Sequence, residues 1–292
     1  MAAFSQPQAP PVFRADVLLV KVDAQVVAGG RPVEDLRRED FIVKDMGVPQ
    51  KIVYFGRDTE PLWVLLLLDV SGSMNRHLKQ MAAAAREALA AMRPADHVGV
   101  MLFSRHTRVH QEFTSDFRSV AQSLRAAVEE RGLGSGTRIN AAVIDAAHHL
   151  RDYAGASGRR AIIILTDNLG LNYRVPNEEV LRALHEADAV LNVIATRNAR
   201  APRPLGAGAN PDFTPSDVFL LARETGGETI RARQAGDALK RLLEGLRTRY
   251  SLHYRAPKGQ SGQFRTIEVD VTPDVRERYG HLTIRARRGY YR

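Results

Sequence analysis

The sequence predicts an α/β fold: a doubly wound, mostly parallel sheet with helices on both faces, joined to a β-sandwich assembled from the two ends of the chain. Three observations predict it. Between residues 61 and 246, strands that are apolar throughout alternate with amphipathic helices, the pattern of a sheet covered on both sides. Before residue 57 and after residue 247 the pattern is strands and turns only. Neither flank has enough strands for a stable sheet with its own core, so the two are expected to pair.

The N-terminal flank, residues 12–57, shows partial alternation from Val17 to Val26, a break at Gly29-Gly30, and short strands at Phe41–Val43 and Ile52–Phe55 around the turn Asp45–Pro49. The central region opens with Leu62–Leu68, the longest apolar run, too short for a membrane span and suited to a buried strand. Leu78, Met81, Ala85, Leu89 and Met92 follow at helical spacing. Val98–Phe103 and Thr107–Phe113 read as strands around a short turn. Phe117, Val120, Leu124 and Val128 mark a second helix with Ser115 as its N-cap, and Ile139, Val143, Ala146 and Leu150 a third. Ala161–Leu165 and Ala189–Ala195 are further strands, separated by a helix that Asn177 caps. Two short helices, near 216–223 and 235–247, close the region. In the C-terminal flank, residues 247–292, the strands are Tyr250–Arg255, Phe264–Thr272 and Leu282–Arg287.

Composition narrows the function. The chain has no cysteine, which excludes disulfides, thiolate nucleophiles and cysteine-ligated zinc. The net charge is +9, but the 36 arginines and 6 lysines are spread over strands and helices without a dense run, so specific nucleic-acid binding is not expected. Residues 1–11, MAAFSQPQAPP, lack a basic start and an apolar stretch. They read as a disordered leader, not a signal peptide.

The informative segment is Leu68-Asp69-Val70-Ser71-Gly72-Ser73. An apolar strand ends in a carboxylate, and two hydroxyls follow at alternate positions before a helix. Oxygen ligands of this kind suit a hard cation, Mg²⁺ first, with Mn²⁺ or Ca²⁺ as alternatives. Taken alone, the triplet is equally a helix cap. Two further segments shift the balance: Gly134-Ser135-Gly136-Thr137 brings a hydroxyl on a glycine-rich loop, and Thr166-Asp167 is a second acid at a strand end. In a parallel sheet these loops open on one edge, where such sheets bind ligands.

Asp-x-Ser-x-Ser, a later Thr and an Asp after an apolar strand resemble the metal-ion-dependent adhesion site of von Willebrand factor A domains, with Asp69, Ser71, Ser73, Thr137 and Asp167 filling the five positions. The resemblance spans about residues 61–246. It implies a six-stranded sheet with one antiparallel edge strand, Thr107–Phe113, and a protein-binding module without catalytic residues. In such modules a carboxylate from an acidic partner completes the metal coordination. The flanks, with Leu36–Phe41 and Gln50–Ile52, and Tyr250–Tyr254 and Arg287–Tyr291, are similar to the bacterial VWFA-related family described from acidobacterial proteins, in which exported proteins are common, which implies export to the periplasm or beyond. One departure is Asp167-Asn168 where Asp-Gly is usual.

Competing readings are weaker. The glycine loop lacks the Lys-Ser/Thr ending of a P-loop. His106 and His110 on one strand would stand about 13 Å apart, too far for one metal. His148 and His149 read as surface residues. The alternative function is a Mg²⁺-dependent phosphatase-like hydrolase, since a strand-end Asp is a nucleophile position in some phosphatases; the second acid those enzymes need two residues on is Ser71 here. Finally, the segment 197–215 leaves a strand at the expected metal edge carrying Arg197, Arg200 and Arg203, and Leu169–Pro176 carries Tyr173 and Arg174. Together they are expected to form a partner-binding rim.

Overall fold

The computed structural model describes residues 18–57, 60–155, 157–203 and 210–292. The expected leader, residues 1–11, lies outside them, as do residues 204–209 of the arginine-bearing segment. The first flank forms β1 (Leu19–Ala28), β2 (Arg31–Pro32), β3 (Phe41–Asp45), β4 (Val48–Gln50) and β5 (Ile52–Arg57). The central region runs β6 (Leu62–Asp69), α1 (Asn75–Leu89), β7 (His97–Phe103), β8 (Thr107–Thr114), α2 (Phe117–Ala127), α3 (Ile139–Tyr153) and β9 (Arg159–Thr166). It continues through β10 (Leu171–Tyr173), α4 (Asn177–Glu186), β11 (Ala189–Thr196), β12 (Phe213–Pro215), α5 (Val218–Thr225), β13 (Thr229–Ala232) and α6 (Ala235–Arg247). The second flank adds β14 (Tyr250–Arg255), β15 (Phe264–Val271), α7 (Pro273–Tyr279), β16 (Leu282–Arg285) and β17 (Gly289–Tyr291). Among the described residues no helix is long and apolar enough to cross a membrane.

The central sheet has six strands in the order β13-β11-β9-β6-β7-β8. All neighbours are parallel except β8, which runs antiparallel to β7 at the edge. Side-chain alternation explains the covering of both faces. Leu62, Val64, Leu66 and Leu68 enter one core with α1, α2 and α6. Leu65 and Leu67 enter the other with α3, α4 and α5. A strand buried on both sides has no use for polar alternation, which is why β6 is apolar until Asp69.

The flanks pair as expected. β14 lies between β1 and β5, antiparallel to both, and β16 adds to β1. β15 pairs with β3, which carries β4, and β17 pairs with β15. The two sheets enclose one apolar core containing Val22, Val26, Val43, Tyr250, Leu252 and Ile267. A buried carboxylate ties them together. Asp45 on β3 accepts from the hydroxyls of Tyr254 (2.8 Å) and Tyr290 (2.9 Å) and from Arg265 Nε (2.8 Å). Burial and the adjacent Asp45 charge push the Tyr254 hydroxyl well above the ordinary tyrosine range, so it stays protonated and donates.

The flanking sheets are locked to the central domain through buried polar groups. One guanidinium nitrogen of Arg249 lies within hydrogen-bond reach of the carbonyls of Gly226 (2.7 Å) and Asp23 (3.2 Å). Desolvation lowers Arg249 to about 10, which still leaves it cationic at neutral pH. Gln25 on β1 donates to Gly245 O (3.1 Å) and accepts from Arg285 (2.9 Å). Arg287 pairs with Asp188.

Several local expectations are corrected. The N-cap of α2 is Asp116, not Ser115: its carboxylate accepts from Arg118 N (3.0 Å) and Ser119 N (3.3 Å). Pro176 occupies the N-cap of α4, and Asn177 is its first residue, with Oδ1 turned to Asn140 Nδ2 (3.0 Å). His149 is buried and stacks on Phe113. His106 lies in the turn before β8 and not on the strand. The helix α7, the short strand β13 and the pair β10–β12 had no periodic signature of their own.

Removing residues 1–57 strips both neighbours from β14. Amide exchange over Tyr250–Arg255 then rises toward unprotected rates, while the amides of β6, β9 and β11 keep their protection. Equal protection of the tail in the truncated and full chains would show that the flanks are independent.

Candidate metal-ion site at the carboxyl edge of the sheet

The strands β6, β9 and β11 are parallel and in register, so Asp69, Asp167 and the segment after Thr196 emerge on one edge. Asp69 is fully buried at the end of β6. Its Oδ1 accepts from Ser71 N (3.0 Å), closing a tight turn, and its Oδ2 accepts from Thr166 Oγ1 (3.0 Å). Burial pushes the Asp69 carboxyl up to about 6, against the lowering effect of the Ser71 and Thr166 hydrogen bonds; the charge of Asp167 raises it further.

The hydroxyls connect the two acids. Ser71 Oγ lies 3.3 Å from Ser73 Oγ, and Ser73 Oγ donates to Asp167 Oδ2 (2.8 Å). Four of the five expected residues are thus joined by one chain of polar contacts. The capping alternative fails on the same geometry: Ser71 stands at the N-cap of the short 3₁₀ turn Gly72–Met74 but makes no side-chain cap bond, and the N-cap of α1 is Met74.

Thr137 is placed differently. It is half-buried beside α3, and no hydrogen bond among the described residues joins it to the other four. It is not the N-cap of α3 either; Arg138 is, without a side-chain bond. A groove of about 300 Å³, lined by Ser71, Gly72, Asn75, Ser104 and Gly134–Gly136, lies between the serine turn and the glycine loop. That loop is not loose. Ser104 Oγ is 2.9 Å from the carbonyls of both Leu133 and Gly134, and Arg138 N donates to Ser104 O (2.9 Å).

Asn168 takes the place of the usual glycine without distorting the loop. Its φ is +60°, a left-handed conformation that asparagine tolerates better than most residues. Its side chain then joins two neighbouring loops: Nδ2 donates to Arg200 O (2.9 Å) and Oδ1 accepts from Val218 N (3.3 Å). This draws the arginine-bearing segment against the residue after Asp167. Arg197, Arg200 and Arg203 are all exposed. Tyr173 and Arg174 stand at the end of β10, with the guanidinium 5.0 Å from the ring centroid and paired with Asp212.

Thr166 and Ser104 were missed as contributors to the site. Each is a buried hydroxyl residue closing or following an apolar strand, the one signal that would have flagged them. Among the described residues, no group of three or more His, Cys, Asp or Glu side chains is arranged to hold a metal. The cluster here has two carboxylates and takes its other oxygens from hydroxyls. Its donor set is wholly hard oxygen, which fits a small divalent cation.

A helix-covered, mostly parallel sheet with one antiparallel edge and an Asp-x-Ser-x-Ser turn at its carboxyl edge defines a von Willebrand factor A-type fold. Residues 64–170 match the sequence model of the von Willebrand factor type A domain. The match is to the domain family; the narrower bacterial relative remains a resemblance of the flanking motifs. Among solved structures, proximal thread matrix protein 1 from the mussel byssus shares the fold at 14% identity and a TM-score of 0.50, over 70% of this chain and 50% of that one. BatB from Bacteroides thetaiotaomicron aligns at 20% identity and a TM-score of 0.49, over 63% of this chain and 97% of that one. Manganese-loaded TRAP from Plasmodium vivax aligns at 14% identity and a TM-score of 0.46, over 85% of this chain and 97% of that one. No curated protein sequence matches the chain significantly.

The raised carboxyl gives a pH signature. The folded chain holds the Asp69 proton to about pH 6, and the unfolded chain releases it near the ordinary value of 3.8. Between those values the folded state binds more protons, so Asp69 makes stability fall as pH rises. In chelator, the stability of wild type relative to Asp69→Asn falls by on the order of 2–3 kcal/mol between pH 4 and 7 in urea titrations. A pH-independent difference would show that Asp69 is not desolvated.

Proposed function

We propose that the domain is a divalent-cation-dependent protein-binding module. The supporting observation is the chain of oxygens Asp69–Ser71–Ser73–Asp167 at the carboxyl edge, with neither serine hydroxyl engaged in capping α1. Ser71 and Ser73 would hold the ion directly. Asp69 and Asp167 would hold it directly or through water, and Thr137 would join from the adjoining loop. The ion, Mg²⁺ in the first instance, would supply when bound a Lewis-acidic position that a carboxylate of the partner could take.

The chain's own residues do the rest. The Ser71 amide and the Thr166 hydroxyl orient the buried Asp69 carboxylate. The Ser73 hydroxyl and the Leu169 amide (3.0 Å) orient Asp167. Arg197, Arg200 and Arg203 add positive charge beside the site and favour an acidic partner.

Calorimetric titration with Mg²⁺, Mn²⁺ and Ca²⁺ tests the reading. Wild type binds at least one of them, and Ser73→Ala binds roughly tenfold more weakly or not at all, as expected for loss of one ligand oxygen. Absence of binding to wild type at millimolar concentrations overturns it. Metal-dependent release of phosphate from a generic ester, abolished in Asp69→Ala, would replace it with the hydrolase alternative.

Neutralising the three arginines tests the rim. The variant Arg197→Gln, Arg200→Gln, Arg203→Gln keeps the metal affinity of wild type, but its capture by an immobilised poly-glutamate surface in Mg²⁺ is weaker and less dependent on salt. Unchanged capture and an unchanged salt slope would remove these residues from the rim.

A further inference from the structure

The ribbon β10–β12 presents an apolar face beside the carboxylate cluster. Leu171 lies opposite Pro215 and Tyr173 opposite Phe213, so the four side chains share one side of the ribbon. Leu169, Leu171 and Tyr173 are 78%, 54% and 46% exposed, a concentration of large apolar side chains within five residues. Single exposed hydrophobics need no explanation, but a contiguous patch beside a site marks an interaction surface.

The opposite side of the ribbon explains why this face is held outward. Asn172, between Leu171 and Tyr173, is buried. Its Oδ1 accepts from Asn140 N (3.0 Å) at the first turn of α3, and its Nδ2 donates to Thr214 O (3.0 Å) and Ser216 Oγ (2.8 Å). Gly170 sits so close that an added Cβ would stand 2.5 Å from Ser216 Oγ and 2.9 Å from Ile139 Cδ1. The ribbon is therefore fixed to α3, the helix that follows Thr137. It is also continuous with the acid, because Leu169 N donates to Asp167 Oδ1 (3.0 Å).

We propose that this face receives the apolar side chains next to the acidic residue of the partner. The inference rests on the metal-dependent reading above and adds its substrate class: a protein segment in which Asp or Glu is flanked by large apolar residues. Charge and continuity select this occupant. The exposed Arg197, Arg200 and Arg203 favour an acidic segment, and the ribbon begins four residues after Asp167, where a carboxylate seated at the cluster would leave its neighbours.

The experiment uses the full chain in Mg²⁺ as bait for a phage-displayed random peptide library, with Leu171→Ser/Phe213→Ser as the comparison bait. Neither Leu171 nor Phe213 touches the metal cluster, so calorimetry gives the double variant the Mg²⁺ affinity of wild type. The expected result is enrichment of Asp or Glu beside Leu, Phe or Tyr on wild type. The enriched peptides bind the variant roughly tenfold or more weakly, in keeping with lost apolar burial. Enrichment of acidic peptides without apolar neighbours, or equal binding by both baits, overturns the ribbon proposal and leaves the metal reading standing. Enriched peptides that bind equally in chelator overturn the metal reading beneath it. No enrichment of acidic peptides overturns the ribbon proposal. Self-association of wild type in sedimentation, lost in the variant, also overturns it by making a second copy the occupant.

Discussion

The constraint on which the structure depends is the burial of Asp69 at the end of β6. A strand covered on both faces has only its ends free for polar chemistry, and β6 places a carboxylate at the carboxyl end. Removing that group from water is costly unless it is hydrogen-bonded or neutralised. The Ser71 amide and the Thr166 hydroxyl supply the hydrogen bonds, and the turn, the serines and Asp167 are arranged around the remaining deficit. Site and sheet are thus one problem in electrostatics: the packing that stabilises β6 also raises the cost of leaving its last residue charged.

The parts away from the edge keep that arrangement rigid. The glycine loop is pinned by Ser104, the β9 exit by Asn168, and the start of α3 by Asn172. Each is a side chain from one loop satisfying backbone groups of another, which fixes distances between loops that the sheet alone would leave free. On the far side, Arg249 and Gln25 do the same between the central domain and the flanking sheets.

Much of this was legible in the residues. The doubly covered sheet followed from Leu62–Leu68 and the helical spacing after it, and the antiparallel edge at Thr107–Phe113 followed once the resemblance was recognised. What could not be read depended on distant partners. Asn172 supports α3 from 32 positions away, so neither residue carries a local signal. The sixth strand, Thr229–Ala232, is four residues long and only partly buried, too short for any periodicity to declare it. The ribbon was hidden for the same reason: two three-residue strands, 40 positions apart, make sense only as a pair. Asp116 displaced Ser115 at a cap because the two are adjacent and both capable; backbone conformation decided between them.

The pairing of Val22 with Leu252 has a consequence during synthesis. β1 and β5 leave the ribosome long before β14, the strand that lies between them. Until it emerges, the apolar side chains of β1 have no sheet to join and two strand edges stay open. The helix-covered sheet, whose contacts are more local, is free to form first. The nascent chain therefore passes through a state with a finished centre and unfinished ends, and its exposed strands in that interval are where aggregation or chaperone capture would act.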